Sequence, residues 1–278
     1  MKLSIKQKVF IIVFFVLIMS GFPLLAQENN WKKAEEGLYI GKFKSPQKSI
    51  IGDSKIIVIK IDPMIYSIKL LCAKQHGLPA MTAKEWCQKF ELIACVNAGM
   101  FQKEDYLSNV GYMKNFKHVN NPKTNNFQSV FAFNPINSKN PQTRIFDMNG
   151  KNIDDIINNY NTVIQNLRLI KRPGQNRWPQ QDNRWSEMAL GEDKQGNILF
   201  IFCRSPYSMH DFNNILLQLP INIVCAQHLE GGPEASLYFS YKGIVINKFG
   251  SYETQFNKND NNDHAWIIPN VLGIAKKK

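Results

Sequence analysis

Residues 221–241 read INIVCAQHLEGGPEASLYFSY. The apolar run Ile221–Cys225 shows no polar/apolar alternation, as expected of a strand covered on both faces. Gly231, Gly232 and Pro233 then stop it, because two glycines and a proline favour a turn over an extended ladder. Leu237–Tyr241 follows as a second strand rich in aromatic residues. The stretch is thus strand, tight loop, strand, with the carboxylate of Glu230 at the exit of the first strand. A second stretch has the same design. Leu92-Ile93-Ala94-Cys95-Val96 runs into Asn97-Ala98-Gly99-Met100-Phe101. Each buried strand is preceded by a helix signal. Thr82 with Glu85 makes a capping box for a helix to about Phe90. Ser208 with Asp211 opens a helix to Leu217, stopped by Pro220.

Outward from these two units the chain reads as many short strands. They are expected at Leu38–Phe43, Lys55–Ile61, Tyr66–Cys72, Ser129–Asn134, Thr143–Asp147, Ser186–Gly191, Ile198–Cys203, Gly243–Asn247, Ala265–Ile268 and Val271–Ala275. A short helix is expected over Asp154–Asn159. Asn134–Gln142, Arg172–Asn183 and Ser251–Asp263 read as polar loops. No repeat and no linker between two cores is visible. The expected fold is therefore a single α+β domain, with a mixed or largely antiparallel sheet core of many short strands flanked by a few helices.

The N-terminal end reads differently. Lys2, Lys6 and Lys8 precede an unbroken apolar run of 11 residues, Val9–Met19, and Ser20, Gly21, Pro23 and Ala26 follow. That is the pattern of a secretory signal peptide over residues 1–26. It is short of the ~20 apolar residues a membrane span requires. The expected organisation is signal peptide 1–26, a lead-in segment 27–49 and a domain over 50–278, exported to a periplasm or secreted, with no membrane span in the mature form. The 34 Lys+Arg against 22 Asp+Glu give a net charge of +12, and loss of three lysines leaves +9. Such a balance favours acidic partners. The basic residues are scattered and no nucleic-acid-binding spacing occurs, so nucleic acid is not expected. Cys72, Cys87, Cys95, Cys203 and Cys225 mostly lie in apolar runs and read as buried thiols, with a single disulfide left open.

No nucleophile elbow, HExxH, P-loop or dinucleotide fingerprint is present. No visible motif requires a cofactor or metal, and a divalent cation on Asn257–Asp263 is left open. Four stretches could carry chemistry. Glu230-Gly231-Gly232 places a carboxylate beside backbone that can approach a ligand closely, although a plain turn would look the same. Asn97 and Gly99 could meet a sugar hydroxyl or phosphate, or simply cap a turn. Arg184 offers a guanidinium fork to phosphate, or a solvated loop charge. Gln165, with Arg168, Lys171 and Arg172 behind it, reads as a polar contact beside a basic loop. His228 is open between an acid–base group and a structural histidine.

Taken in order, these elements resemble the phosphodiester glycosidase family. The matching elements are Asn97–Phe101 after a strand, Gln165–Leu169 and Arg184–Ser186. They continue with the turn Asp193–Asn197, the loop Glu230–Leu237 and the closing run Leu272–Ile274. The likeness covers about residues 50–276. Glu230 stands where many members carry the shorter Asp. The resemblance implies hydrolysis of a sugar-1-phosphodiester to free sugar and a phosphomonoester, with a phosphorylated sugar or glycan as partner. It implies Glu230 as the carboxylate beside the anomeric carbon and Arg184 on the phosphate. Asn97, Gly99, Gln165, Gly231, Gly232 and Ser236 would contact substrate. A second carboxylate is open among Glu187, Glu234, Asp105 and Asp211. The other reading is a non-catalytic envelope protein that grips anionic glycans, with Trp178 and Trp185 as stacking faces. The oligomeric state is not legible.

Overall fold

The computed structural model describes residues 30–277, so the expected signal peptide, residues 1–26, lies outside the described residues. Strands dominate, and every strand pairing among the described residues is antiparallel. The α+β expectation holds in its antiparallel form.

Three sheets build the domain. The largest has eight strands in the order β1 (Trp31–Glu35), β2 (Leu38–Lys44), β3 (Lys55–Ile61), β14 (Ile198–Tyr207), β13 (Trp185–Asp193), β15 (Ile223–Gly231), β11 (Arg168–Lys171), β12 (Gln175–Asn176). The second runs β17 (Ile244–Phe249), β16 (Ser236–Tyr241), β5 (Ala94–Asn97), β18 (Asn270–Lys276), β4 (Tyr66–Cys72). The third runs β7 (His118–Asn121), β6 (Met113–Asn115), β10 (Tyr160–Asn166), β8 (Ser129–Pro135), β9 (Thr143–Asp147). The two unalternating runs are interior strands: β15 lies between β13 and β11, and β5 between β16 and β18. Their burial on both faces explains their composition.

One apolar core joins the inner faces of all three sheets. Ile59, Leu190 and Phe200 come from the first, Val96, Leu237 and Leu272 from the second, and Phe131, Phe133 and Ile164 from the third. Helices cover the outer faces. Helix α1 (Ala73–His76) is a single turn after β4. Helix α2 (Ala83–Lys89) has the expected Thr82–Glu85 capping box and lays Trp86 and Cys87 on the second sheet. Helix α3 (Ile153–Ile157) places Ile156 against the third. Helix α4 (Met209–Gln218), capped by Ser208, packs Phe212, Ile215 and Leu216 on the first. All five cysteines are buried and free. No described helix is long and apolar enough to cross a membrane.

Four expectations are corrected. The expected lead-in 27–49 is, over its described residues, not distinct from a domain starting at 50, because β1 and β2 are strands of the large sheet, hydrogen-bonded through β2 to β3. Ala265–Ile268 is not a strand; only Ile268 makes an isolated bridge, to Met81. The basic stretch after Gln165 is not a loop but the end of β10 and the whole of β11. Its two arginines are paired within the fold, where Arg168 meets Asp147 at 3.5 Å and Arg172 meets Glu192 at 2.8 Å. Trp178 and Trp185 are not free stacking faces. Both pack on the apolar cluster beneath α4, and their indole N–H groups donate to Arg168 O and Glu187 Oε2.

Glu192 is the main polar tie between the large and third sheets. Its carboxylate is 3% exposed and takes Arg144 at 3.1 Å, Arg172 at 2.8 Å and the Ile145 N–H at 3.0 Å. Removing it leaves the Ile145 N–H without its acceptor and takes the ion-pair partner from two part-exposed guanidinium groups. Glu192→Ala is expected to lower the unfolding free energy by about 3 kcal/mol in urea titration. A loss under about 0.5 kcal/mol would show the tie to be dispensable.

Candidate active site

The chain changes sheets at the Gly-Gly loop. β15 ends at Gly231, residues Gly232–Glu234 make one 3₁₀ turn, and β16 begins at Ser236. Both glycines are needed for close approach. A Cβ on Gly231 would lie 2.8 Å from Trp185 Cδ1, and one on Gly232 would lie 2.7 Å from Glu253 Oε2. Gly232 also has φ +64°, a conformation side chains resist. Asn97, at the end of β5, clips the loop down. Its Nδ2 donates to Glu234 O at 3.1 Å, and its Oδ1 accepts from Ser236 N at 2.8 Å. Ser236 Oγ donates to the same Glu234 carbonyl at 3.0 Å.

Four carboxyl groups gather on this frame. Glu230 Oε1 accepts from Gly231 N at 3.1 Å, while its Oε2 is buried with no hydrogen-bond partner. Burial, with Glu234 nearby, pushes the Glu230 carboxyl up to about 8, against the opposing pull of His228. That shift favours the protonated carboxyl at neutral pH. Burial likewise raises Glu234 to about 7, with Glu253 adding to the effect, and raises Glu253 itself. Glu187, on β13 opposite Gly231, is 3% exposed. Its Oε1 meets His228 Nδ1 at 2.6 Å, and its Oε2 accepts from Trp185 Nε1 at 2.7 Å. Burial raises Glu187. Burial alone would lower His228, but the charge and hydrogen bond of Glu187 outweigh it and hold the imidazole protonated to higher pH. Tyr106 closes the group from the loop after β5. Burial first, then Glu234 and Glu230, lift its phenol to about 12.

The remaining expected residues divide by what their polar atoms already do. Gln165 uses its whole amide within the chain: Oε1 accepts from Tyr112 N and Asn125 N, and Nε2 donates to Asn125 O and Phe127 O. It staples the 108–128 segment and keeps no group for a ligand. Gly99 serves close packing, since a Cβ there would lie 2.4 Å from Asn109 Oδ1 and 2.6 Å from Asn166 Oδ1. The Gly231 N–H is held by Glu230. Arg184 is fixed by its backbone to Thr254, at 2.8 and 3.0 Å, and among the described residues its guanidinium has no ion pair. Of the candidates for a second carboxylate, Asp105 is paired with Lys74, Asp211 bonds Gln180, and both oxygens of Glu187 are engaged. Glu234 is left, its Oε2 within 3.4 Å of the point a Gly232 Cβ would occupy. The sequence reading missed Tyr106 and Glu253, which lie in loops with no motif of their own. Among the described residues no three His, Cys, Asp or Glu side chains are placed to hold a metal ion.

The family model for phosphodiester glycosidase matches residues 90–275, and the chain belongs to that family of hydrolases acting on phosphodiester-linked sugars. Two solved structures share the fold. One is the zebrafish N-acetylglucosamine-1-phosphodiester alpha-N-acetylglucosaminidase catalytic domain, auto-inhibited by its pro-peptide. It has 16% identity and a TM-score of 0.64, with 88% of this chain and 86% of that one covered. The other is a hypothetical protein from Synechocystis, with 13% identity and a TM-score of 0.57, covering 87% of this chain and 62% of that one. No curated protein matches the chain in sequence.

A carboxyl raised by burial costs stability once the unfolded chain can ionise it. The Glu230 contribution is fully present below the ordinary carboxylate pKa and is lost as pH rises through about 8. Glu230→Gln carries no such liability. Its melting temperature is expected to exceed that of the wild type by more at pH 9 than at pH 4. Equal differences at the two pH values would show that the folded state does not raise Glu230.

Proposed function

We propose that this chain hydrolyses a sugar-1-phosphodiester, with Glu230 as the proton donor to the departing phosphate. The observation that carries the reading is half-buried Glu230, whose Oε2 is enclosed without a hydrogen-bond partner and whose carboxyl is pushed up to about 8. A buried polar atom left without a partner calls for an explanation, and a catalytic role supplies one. An acid that keeps its proton at pH 7 and has no acceptor in the chain suits proton transfer to a substrate oxygen.

In this mechanism the bond between the anomeric carbon and the phosphate oxygen breaks, and its electron pair stays with the phosphate. Glu230 delivers its proton to that oxygen. Water bonds to the anomeric carbon and passes a proton to Glu234, whose pKa of about 7 leaves about half of it ionised at neutral pH. The products are a sugar with a free reducing end and a phosphomonoester. Arg184, with no ion pair of its own among the described residues, meets the phosphate charge. Glu187 beside His228 raises the imidazole's pKa, which favours positive potential beneath the loop. Asn97 and Ser236 act by fixing the Glu234 backbone. The activity named for the zebrafish enzyme suggests N-acetylglucosamine as the first sugar to try. The signal-peptide pattern of residues 1–26 supports action outside the cytoplasm.

The test is release of reducing sugar from N-acetylglucosamine-1-phosphodiesters. Glu230→Gln should lower kcat by ~10²–10⁴-fold. Arg184→Ala should lower kcat/KM by ~100-fold with the fold intact by circular dichroism. The wild-type kcat/KM should decline as pH rises past about 8, where Glu230 loses its proton. Full activity in Glu230→Gln, or a rate that climbs above pH 8, would contradict the acid role.

A further inference from the structure

We propose that the outer face of the third sheet carries a second site, separate from the Glu230 cleft, which binds a small α-amino acid with an apolar side chain. A cavity of about 250 Å³ lies there, lined by Asn140, Phe146, Lys151, Asp155, Ile156 and Tyr160 among others. Drug-sized ligands occupy ~300–1,000 Å³, so the occupant is a smaller molecule. None of the residues gathered around Glu230 lines this cavity. The site therefore stands whether or not the chain cleaves phosphodiesters.

The floor is apolar and holds one unmet donor. Phe146 on β9, Ile156 on α3 and Tyr160 at the start of β10 pack in the apolar cluster between α3 and the third sheet. The rings of Phe146 and Tyr160 meet edge-on at 5.7 Å. Tyr160 is only 2% exposed, and its hydroxyl is buried with no hydrogen-bond partner. Burial pushes the phenol up, so it is protonated at neutral pH and can donate. A buried donor without an acceptor costs stability and calls for an explanation. A ligand oxygen in the cavity supplies the missing acceptor.

The rim carries both signs of charge. Lys151 stands just before α3, and Asp155 lies in its first turn. Both residues are exposed and line the cavity, and among the described residues neither makes an ion pair. Asn152 fixes the turn between them by accepting from Asp154 N at 3.0 Å. Asn159 Nδ2 donates to Asp155 O at 2.6 Å, and Asn140 Nδ2 donates to Asn159 Oδ1 at 3.3 Å. The connection between β8 and β9 is thereby tied to the end of α3, which holds two walls of the cavity together. Walls ordered before binding lose less entropy when a ligand arrives.

These groups select a ligand by its charge. A simple anion would meet Lys151 and Tyr160 but also the Asp155 carboxylate. A simple cation would meet Asp155 but also Lys151, and would leave the Tyr160 hydroxyl unmet. A molecule with a carboxylate and an ammonium on one carbon satisfies all three. Its carboxylate accepts from the Tyr160 hydroxyl and the Lys151 ammonium. Its ammonium donates to Asp155 and to the Asn140 Oδ1. An apolar side chain on the same carbon then lies against Phe146 and Ile156.

The experiment is isothermal titration calorimetry of the full chain with L-leucine and two truncated analogues. One is 4-methylpentanoate, which lacks the ammonium, and the other is 3-methylbutylamine, which lacks the carboxylate. Saturable binding of leucine is expected, with each analogue weaker by about tenfold or more, the effect of losing a charge-assisted hydrogen bond. Lys151→Met and Asp155→Asn, at exposed positions where no ion pair is lost, should each raise the leucine Kd about tenfold. Tyr160→Phe should raise it as well, yet leave the melting temperature of the unliganded chain unchanged or higher, because the hydroxyl gives up no hydrogen bond. No leucine binding tighter than ~1 mM overturns the site. Equal affinity for leucine and either analogue, or leucine binding indifferent to both charge substitutions, overturns it too. A lower melting temperature in Tyr160→Phe would remove the unmet donor on which the site rests.

Discussion

The constraint on which the site depends is the burial of one carboxyl group where a strand leaves its sheet. Glu230 is the next-to-last residue of β15, an interior strand, and its Oε2 has neither solvent nor a partner. An ionised carboxylate in such surroundings costs several kcal/mol, so burial favours the protonated form. Everything around it maintains that state. The two glycines let Trp185 and Glu253 approach, Asn97 pins the loop, and Glu187 is occupied by His228 and Trp185. The proton that burial retains is the one the proposed chemistry uses. The instability incurred by an unpaired buried group is the usual cost of a working site.

The three-sheet architecture explains how so short a loop can hold so many acids. β15 belongs to the eight-stranded sheet and β16 to the second sheet, so residues 231–235 bridge two sheets that share one core. β13 brings Glu187 against Gly231 from one side, and the loop before β18 brings Glu253 against Gly232 from another. Glu187 is buried on β13, while Glu230, Glu234 and Glu253 are half-buried on the crossing and on the loop beside it.

Much of this was legible in the sequence, for reasons that can be named. Interior strands announce themselves by unbroken apolar runs, which is why β5 and β15 stood out. Capping boxes are local, so Thr82 and Ser208 marked their helices. What failed was what depends on partners distant in sequence. Gln165 looks like any exposed polar residue until Tyr112, Asn125 and Phe127 are seen to consume its amide. Arg168 and Arg172 read as free charge because Asp147 and Glu192 lie on other strands. Trp178 and Trp185 read as open faces, whereas the open aromatic is Phe256, in a segment whose Asn and Asp content suggested only a solvated loop. The short strands β1, β6, β7 and β12 owe their existence to neighbouring strands and have little periodicity of their own. The protonation of Glu230 was the least legible feature. A residue's type gives its ordinary pKa, and only its burial gives the shift.

The central claim is that Glu230 is an acid at neutral pH. Carbon-13 NMR of glutamate side-chain carboxyls, with the Glu230 resonance assigned by its loss in Glu230→Gln, measures this directly. The account predicts a midpoint near 8 for that resonance. A midpoint in the ordinary glutamate range, near ~4.3, would show that the group stands ionised in the site. The proton-donor mechanism would then fail.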